Sequence, residues 1–323
     1  MKAIVYSEFG SPDVLRLADI EKPKPNDRQV LVKVRAASVN PLDWHFVRGE
    51  PRMLRLMGNP KNRIPGGDAA GEVETVGARV TRFRPGDEVF GTCNGTFAEY
   101  ACLREDRCVR KPAGLSFEQA ASIPVAACTA LQSLRDKGRL QPGQSVLING
   151  ASGGVGTFAV QLAKALGGVV TGVCSTRNLE LVRSLGAAHV IDYTKEDLTA
   201  SGRRYDLILQ VAGNRTVPEL KNMLVPDGTL IVIGGGTGRD DPDGMLEVLG
   251  ILIKGNLLSR FARQRVHMLL AHISTSDLTF VANLITTGKV KPVIERTYPL
   301  EKAADALRDI EAGHARGKVI VVV

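Results

Sequence analysis

No apolar run in the sequence approaches the roughly 18 to 20 residues that a bilayer crossing demands, so membrane insertion is not expected. The opening "MKAIVYSEFG" alternates like a strand and lacks the basic-then-apolar order of a secretory signal, so a cytoplasmic protein is expected. Cysteines are few and scattered, at 93, 102, 108, 128 and 174, with no pair spaced C-x-x-C. That pattern suits buried free thiols and argues against a disulfide framework. The five histidines include no H-E-x-x-H, and His267 and His272, five apart, do not share a helix face. A metal site is therefore not expected from this inventory. Aromatics make up only 5% of the chain, too few for a base-stacking surface, and no five like charges run together. Nucleic acid is thus not an expected partner despite a net charge of +8, whose modest field would attract a polyanionic cofactor.

What is present reads as two domains in 323 residues. From about 145 to 236, strands and helices alternate. Ser145–Ile148 reads as a short apolar strand, followed by a helical stripe of Val155, Phe158, Ala159, Leu162, Ala163 and Leu166 that stops at Gly167–Gly168. The strand "VVTGVCS", the helix "NLELVRSLG" and the strands "HVIDY", "YDLILQVAG" and "GTLIVIGGG" follow. Near-continuous apolar strands between amphipathic helices predict an α/β doubly wound parallel sheet of Rossmann type. The first 110 residues instead hold short strands among Pro-Gly turns such as "FRPGDE", a β-rich, barrel-like pattern. The C-terminus returns to it with "VKPVIERTYPL", a helix over about 301–312, and "GKVIVVV". The cofactor domain, 120–287, is therefore expected to be inserted in a β-rich domain formed by 1–119 and 288–323.

The loop "NGASGGVG" joins the first of the parallel strands to its helix, and this context gives a glycine motif meaning. Residues without Cβ allow close backbone approach, and a helix N-terminus offers unpaired N–H groups to a pyrophosphate. Gly150, Ala151, Ser152, Gly153, Gly154, Val155 and Gly156 are the candidate cradle. At the end of the second strand an NAD site wants a carboxylate, but "CSTRN" offers none before Glu180. Hydroxyls with the Arg177 guanidinium suit a 2′-phosphate, so NADPH is the expected cofactor. The alternative leaves Arg177 pointing to water.

With "SVNPLDWHFVRG", "GGDAAGEVETVG", "FRPGDEVFG", "AASIPVAACTAL", "NGASGGVG" and "HARGKVIVVV" in place, nearly the whole chain resembles the zinc-free quinone oxidoreductase branch of the medium-chain dehydrogenase/reductase superfamily. The resemblance implies a GroES-like barrel for the β-rich domain and a homodimer formed through strands near 264–273. Zinc-dependent relatives carry Cys where this chain has Asn40, His-Glu where it has Gly67–Asp68, and a further Cys near Val125. An amide, a glycine and an aliphatic side chain cannot together hold Zn²⁺, which argues for metal-free hydride transfer.

The resemblance also places Asn40, Asp43 and His45 beside the nicotinamide, with Asn40 as an amide donor to the substrate carbonyl and His45 as a hydrogen-bond or proton donor. Many quinone reductases of the branch carry a tyrosine where His45 stands, so solvent is an alternative proton source. Ser175, Arg177 and Tyr193 would flank the 2′-phosphate, Gly234 and Gly235 would let the chain pass the nicotinamide, and Lys318 would touch the cofactor or a loop. Each has a structural alternative: Asn40 as a turn residue, Asp43 as a loop anchor, His45 as a partly buried surface residue, Tyr193 as a packing aromatic. Met53, Leu54, Leu56 and Met57 would overhang the pocket and favour a small hydrophobic quinone or enone. The rival substrate is an enoyl thioester, whose phosphates would meet Arg52, Arg55, Lys61 and Arg63. A rival of another class is a non-catalytic NADPH-binding or RNA-binding protein, and a third is a zinc-dependent alcohol dehydrogenase.

Overall fold

The computed structural model describes residues 1–50, 55–56, 60–61, 63–212, 215–233, 263–313 and 315–323. Of the residues singled out above, Arg52, Met53, Leu54, Met57, Gly234 and Gly235 lie outside this set.

The chain opens with an antiparallel ribbon of β1 (Lys2–Val5) and β2 (Arg16–Asp19). The long strand β3 (Gln29–Ser38) follows and leads through Val39 and Asn40 into helix α1 (Pro41–Arg48). Proline suits the first helical position because its missing N–H has no intrahelical partner there. Then come β4 (Asp68–Val76), β5 (Glu88–Thr92), β6 (Tyr100–Arg104) and β7 (Cys108–Arg110). Two short helices follow, α2 (Phe117–Ala121) and α3 (Pro124–Leu131). A reciprocal pair of bonds between Ser116 and Gln119 starts α2, each side chain accepting the other residue's backbone N–H.

Strand β8 (Ser145–Asn149), helix α4 (Gly154–Ala165), strand β9 (Val169–Cys174), helix α5 (Leu179–Ser184) and strand β10 (His189–Asp192) begin the alternating segment. Strand β11 (Tyr205–Gln210), helix α6 (Val217–Lys221) and strands β12 (Leu224–Ile233) and β13 (Arg265–Leu269) continue it. All six strands are parallel, in the order β10-β9-β8-β11-β12-β13. The order reverses direction between β8 and β11, the switch point at which open parallel sheets bind ligands beyond their strand ends. Leu147, Ile148, Phe158 and Leu162 are fully buried, so the stripe read from sequence is the face α4 sets on the sheet. Gly167 ends the helix at φ +86°, a backbone conformation in which a side chain would be strained.

The chain returns through α7 (Thr275–Thr286), β14 (Ile294–Pro299), α8 (Ala303–Glu311) and β15 (Lys318–Val322). A seven-stranded sheet runs β14-β15-β3-β4-β5-β7, with β6 also paired to β3. Its interior holds Val30, Val32, Val34, Val89, Phe97, Leu103, Val319 and Val321.

The described residues form two compact units: Met1–Cys128 with Ile273–Gly288 and Pro292–Val323, and Thr129–His272 with Lys289–Lys291. The division differs from the one drawn at 119/120 and 287/288 from sequence. Helix α7, assigned there to the cofactor domain, packs against β7 of the β-rich unit. Its apolar positions Leu278, Val281 and Ala282 announce a buried face, but a helical period does not say which sheet covers it.

Candidate active site

Ser38 stands between two neighbours in the seven-stranded sheet, paired with Asp68 at the start of β4 and with Ile320 in β15. This register brings Asn40, Asp68 and Lys318, from three separate stretches of sequence, to one end of the barrel. Asn40 is the N-cap of α1, with extended backbone angles of φ −124° and ψ 155°. Its backbone N–H donates to Asp43 Oδ2 at 2.7 Å. Its side chain does not cap the helix. Asn40 Oδ1 accepts from Lys318 Nζ at 2.8 Å, while Nδ2 donates to Asp68 Oδ2 at 3.0 Å and to Ser38 O at 3.4 Å. Lys318 Nζ also donates to Val39 O at 3.1 Å, and the Val125 N–H donates to Asp68 Oδ1 at 3.2 Å.

All four side chains are buried: Asp68 is 0% exposed, Lys318 3%, Asn40 4% and Asp43 6%. A buried carboxylate must be hydrogen-bonded or face a cation to stay ionised. Burial pushes Asp43 up to about 7, the Asp68 charge adding to the rise, while the Asn40 and Gly66 N–H groups and Lys318 oppose it. Burial likewise pushes Asp68 up to about 6 against the pull of Lys318, Asn40 and the Val125 N–H. The Lys318 ammonium is itself pushed down by burial, and the two aspartates oppose that shift. The cluster is thus the Asn40 amide bridging the Lys318 ammonium and the Asp68 carboxyl group, with Asp43 on the Asn40 backbone N–H; Asn40 and Asp68 stand where zinc-dependent relatives were expected to carry ligands.

This geometry bears on two sequence expectations. Asn40 was expected to offer its amide to a substrate carbonyl, but its oxygen and both hydrogens are engaged inside the barrel unit. Lys318 was expected to touch the cofactor or a loop; its ammonium binds Val39 O and Asn40 Oδ1, in the loop between β3 and α1. Register accounts for both, because strand pairing aims Lys318 inward, and sequence alone does not give the pairing. Asp43 ties the first turn of α1 to Gly66, the anchor its structural alternative described. Asp68 and the Val125 N–H, read from sequence only as departures from a zinc site, are the residues sequence reasoning missed. The signal available was an acid next to Gly67 at the strand's start.

His45 lies on α1 with its ring stacked on Trp44, centroids 3.7 Å apart at 27°. Its Nδ1 is 4.0 Å from Glu50 Oε2. Burial pushes its pKa down, with Glu50 pulling the other way. A histidine shifted this way is neutral at pH 7 and keeps one ring N–H to donate.

In the parallel-sheet unit, helix α4 has Gly153 at its N-cap and no side chain bonding its first N–H groups. A Cβ on Gly153 would meet only Gly150 O, at 3.6 Å, so the space before the helix is open. A Cβ on Gly156 would fall 2.0 Å from Gly150 O, and this position admits no side chain. Gly150, Ala151, Ser152, Gly154 and Val155 complete the loop; the N–H groups of Gly150 and Ala151 donate to Val173 O and that of Gly153 to Gly150 O, so the first turn of α4 from Gly154, with its helix dipole, is the part that fits a pyrophosphate. Beyond β9, Ser175 caps the turn Thr176–Asn178, on which Arg177 is exposed. Tyr193 is 45% exposed after β10, and its N–H donates to Cys174 O. Ser175, Arg177 and Tyr193 therefore gather at the ends of two adjacent strands. The acid nearby, Asp192, accepts from the Thr176 hydroxyl at 2.5 Å and the Thr194 hydroxyl at 2.7 Å.

Comparison with known proteins agrees with this anatomy. Residues 26–113 match the alcohol dehydrogenase GroES-like domain family, and residues 185–321 match the zinc-binding dehydrogenase family. A chloroplastic quinone-oxidoreductase homolog of Spinacia oleracea is 35% identical over 99% of this chain and 98% of its own length. A chloroplastic NADPH-dependent alkenal/one oxidoreductase of Arabidopsis thaliana is 34% identical over 99% of this chain and 79% of its own. The solved quinone oxidoreductase of Coxiella burnetii superposes with a TM-score of 0.87 at 32% identity, covering 100% of this chain and 99% of that one. Full-length identity at this level, a GroES-like barrel and an inserted parallel sheet make the chain an oxidoreductase that uses a nicotinamide cofactor and belongs to the quinone oxidoreductase branch of the medium-chain dehydrogenase/reductase superfamily.

Proposed function

We propose that the protein passes a hydride from NADPH to quinones or α,β-unsaturated carbonyl compounds without a metal. The observation carrying this reading is the Asn40–Asp68–Lys318 cluster, in which an internal ammonium engages Asn40 and Asn40 engages Asp68, the two side chains that stand where a Lewis acid's ligands would. Side chains saturated by one another offer no open coordination position. The acceptor must then already be electrophilic, as quinones and enones are. Bound NADPH supplies the hydride from nicotinamide C4.

The chain's own residues do the rest. The glycine loop from 150 to 156 holds the pyrophosphate on the N-terminus of α4. Ser175 and Arg177 meet the 2′-phosphate, with Tyr193 beside it. Asp43 anchors α1, and α1 carries Trp44 and His45. Neutral His45 donates a ring N–H to the oxygen on which negative charge develops, and the proton follows from the imidazole or from water. Similarity to the Arabidopsis NADPH-dependent alkenal/one oxidoreductase supports both the cofactor and the substrate class.

The thioester alternative loses support at Arg55, whose guanidinium donates to Arg48 O and Gly49 O at the end of α1. Five free cysteines suit a reducing, cytoplasmic setting. No helix among the described residues is long and apolar enough to cross a membrane. We place a homodimer contact at β13, the edge strand of the parallel sheet, which light scattering on the purified protein would detect.

The deciding experiment measures NADPH and NADH oxidation with 1,4-quinones, short enals and crotonyl-CoA, alongside elemental analysis for zinc. Quinone or enal turnover with NADPH and no stoichiometric zinc is the expected result. Turnover of the thioester alone, or one zinc per chain, would overturn the reading.

A further inference from the structure

Asn178 closes the turn after β9 and starts α5, and it is 4% exposed. Its amide nitrogen donates to Ser152 Oγ at 3.0 Å and to Ser175 Oγ at 3.3 Å. Ser152 belongs to the glycine loop after β8, and Ser175 to the end of β9. One buried side chain therefore joins the two loops that follow adjacent strands. Its carbonyl oxygen Oδ1 is buried with no donor.

These bonds fix the direction of two hydroxyl groups. Each serine oxygen spends a lone pair on an Asn178 hydrogen, so its own hydrogen must point elsewhere. Among the described residues neither hydroxyl hydrogen has an acceptor. The opposite orientation would strand both hydrogens of the amide nitrogen in the buried position that Oδ1 now takes.

We infer that Asn178 is a specificity-determining positioning residue: by donating to Ser152 and Ser175 it makes both hydroxyls hydrogen-bond donors, set for phosphoryl oxygens. Ser152 then serves the pyrophosphate and Ser175 the 2′-phosphate. A 2′-phosphate only accepts hydrogen bonds and is matched by such a pair. A free ribose 2′-hydroxyl would accept one such bond where a phosphate accepts several, and its own hydrogen finds one lone pair of Ser175 already spent and Asp192 already bonded by Thr176 and Thr194. This inference rests on the NADPH reading above, and it adds a residue that touches no part of the cofactor.

The test is a binding titration, read by nicotinamide fluorescence for NADPH and NADH and by calorimetry for adenosine 2′,5′-bisphosphate. Asn178→Asp keeps the shape of the side chain but turns its donors into acceptors, pulling both serine hydrogens inward. It should weaken NADPH by about a hundredfold, the bisphosphate by about tenfold or more and NADH by about tenfold, since both dinucleotides lose the Ser152 bond to the pyrophosphate and only NADPH loses the Ser175 bond to the 2′-phosphate. Ser175→Ala, at a half-buried position, should cost NADPH about tenfold and leave NADH within about twofold. Should Asn178→Asp fail to fold in a thermal melt, Asn178→Ala is measured in its place, with the same direction expected. Equal losses for both dinucleotides would make Asn178 a structural residue and overturn the inference. So would an NADPH preference that survives in every variant. A wild-type protein that binds NADPH and NADH alike would instead overturn the cofactor reading itself.

Discussion

Replacing Lys318 by Met tests whether the buried cluster is held by charge or by packing. The side chain is 3% exposed, and its ammonium faces Asp68 and Asp43 as well as bonding Asn40 and Val39. Methionine keeps most of the stem and removes the cation. Taking one partner from a buried ionic cluster costs about 3–5 kcal/mol, mainly because the remaining charge is left uncompensated. The carboxyl groups give a second route to the size of the effect. Holding Asp43 at about 7 against its ordinary 3.8 penalises its anion by about 4 kcal/mol, and Asp68 at about 6 by about 3 kcal/mol, with the cation present. Both rise further without it.

The pH dependence follows from the sign of those shifts. Each folded-state value lies above the unfolded one, so the folded state binds more protons between them. The stability these groups contribute is complete below about pH 4 and is lost as pH rises through about 6 to 7. In Lys318→Met that loss should move to higher pH and grow. Urea unfolding followed by the fluorescence of Trp44, the sole tryptophan, reads the transition of the β-rich unit. The expected result is a deficit of about 3–5 kcal/mol at pH 8 that shrinks strongly at pH 5, where the aspartates are protonated. Adding Asp68→Asn should recover part of it, with a coupling of about 1–3 kcal/mol. A variant as stable as wild type at pH 8 would refute the reasoning, as would a deficit that does not change between pH 5 and 8.

Gly156→Ala places a Cβ against Gly150 O, and overpacking against backbone should cost about 3 kcal/mol or more together with nucleotide binding, read by thermal melt and fluorescence titration. Arg177→Glu should weaken NADPH by about tenfold or more and leave NADH nearly unchanged in the same titration. His45→Phe should lower kcat/KM for quinones by about 10- to 100-fold. Because burial moves His45 below its usual value, the wild-type rate should be level above pH 7 and change only as pH falls below about 6.5, which a pH–rate profile checks.

The parallel sheet was legible because its signals are local. An apolar strand, a glycine loop and a 3.6-period stripe follow one another without a gap, and Leu147, Phe158 and Leu162 are buried as the stripe requires. That Ser175, Arg177 and Tyr193 follow the ends of β9 and β10 was legible for the same reason, since each strand's place in the sheet is fixed by its own segment. Asn178 escaped attention because its role lies in which way two serine hydroxyls point, a matter of three-dimensional contact. The allegiance of α7 escaped as well, because an amphipathic period is the same whichever sheet it covers.

The sequence by itself determined the cofactor class and the departure from zinc-ligand chemistry at Asn40, Gly67 and Val125, because residue identity limits what an atom can bind. Tertiary structure alone decided where those atoms point. Strand register set Asp68 and Lys318 on either side of Asn40, across 28 and 278 residues of chain, and burial then coupled their charges. An amide read from sequence as a substrate contact is in the folded protein the bridge of a buried ion cluster, because only pairing between distant strands brings its partners within hydrogen-bond reach.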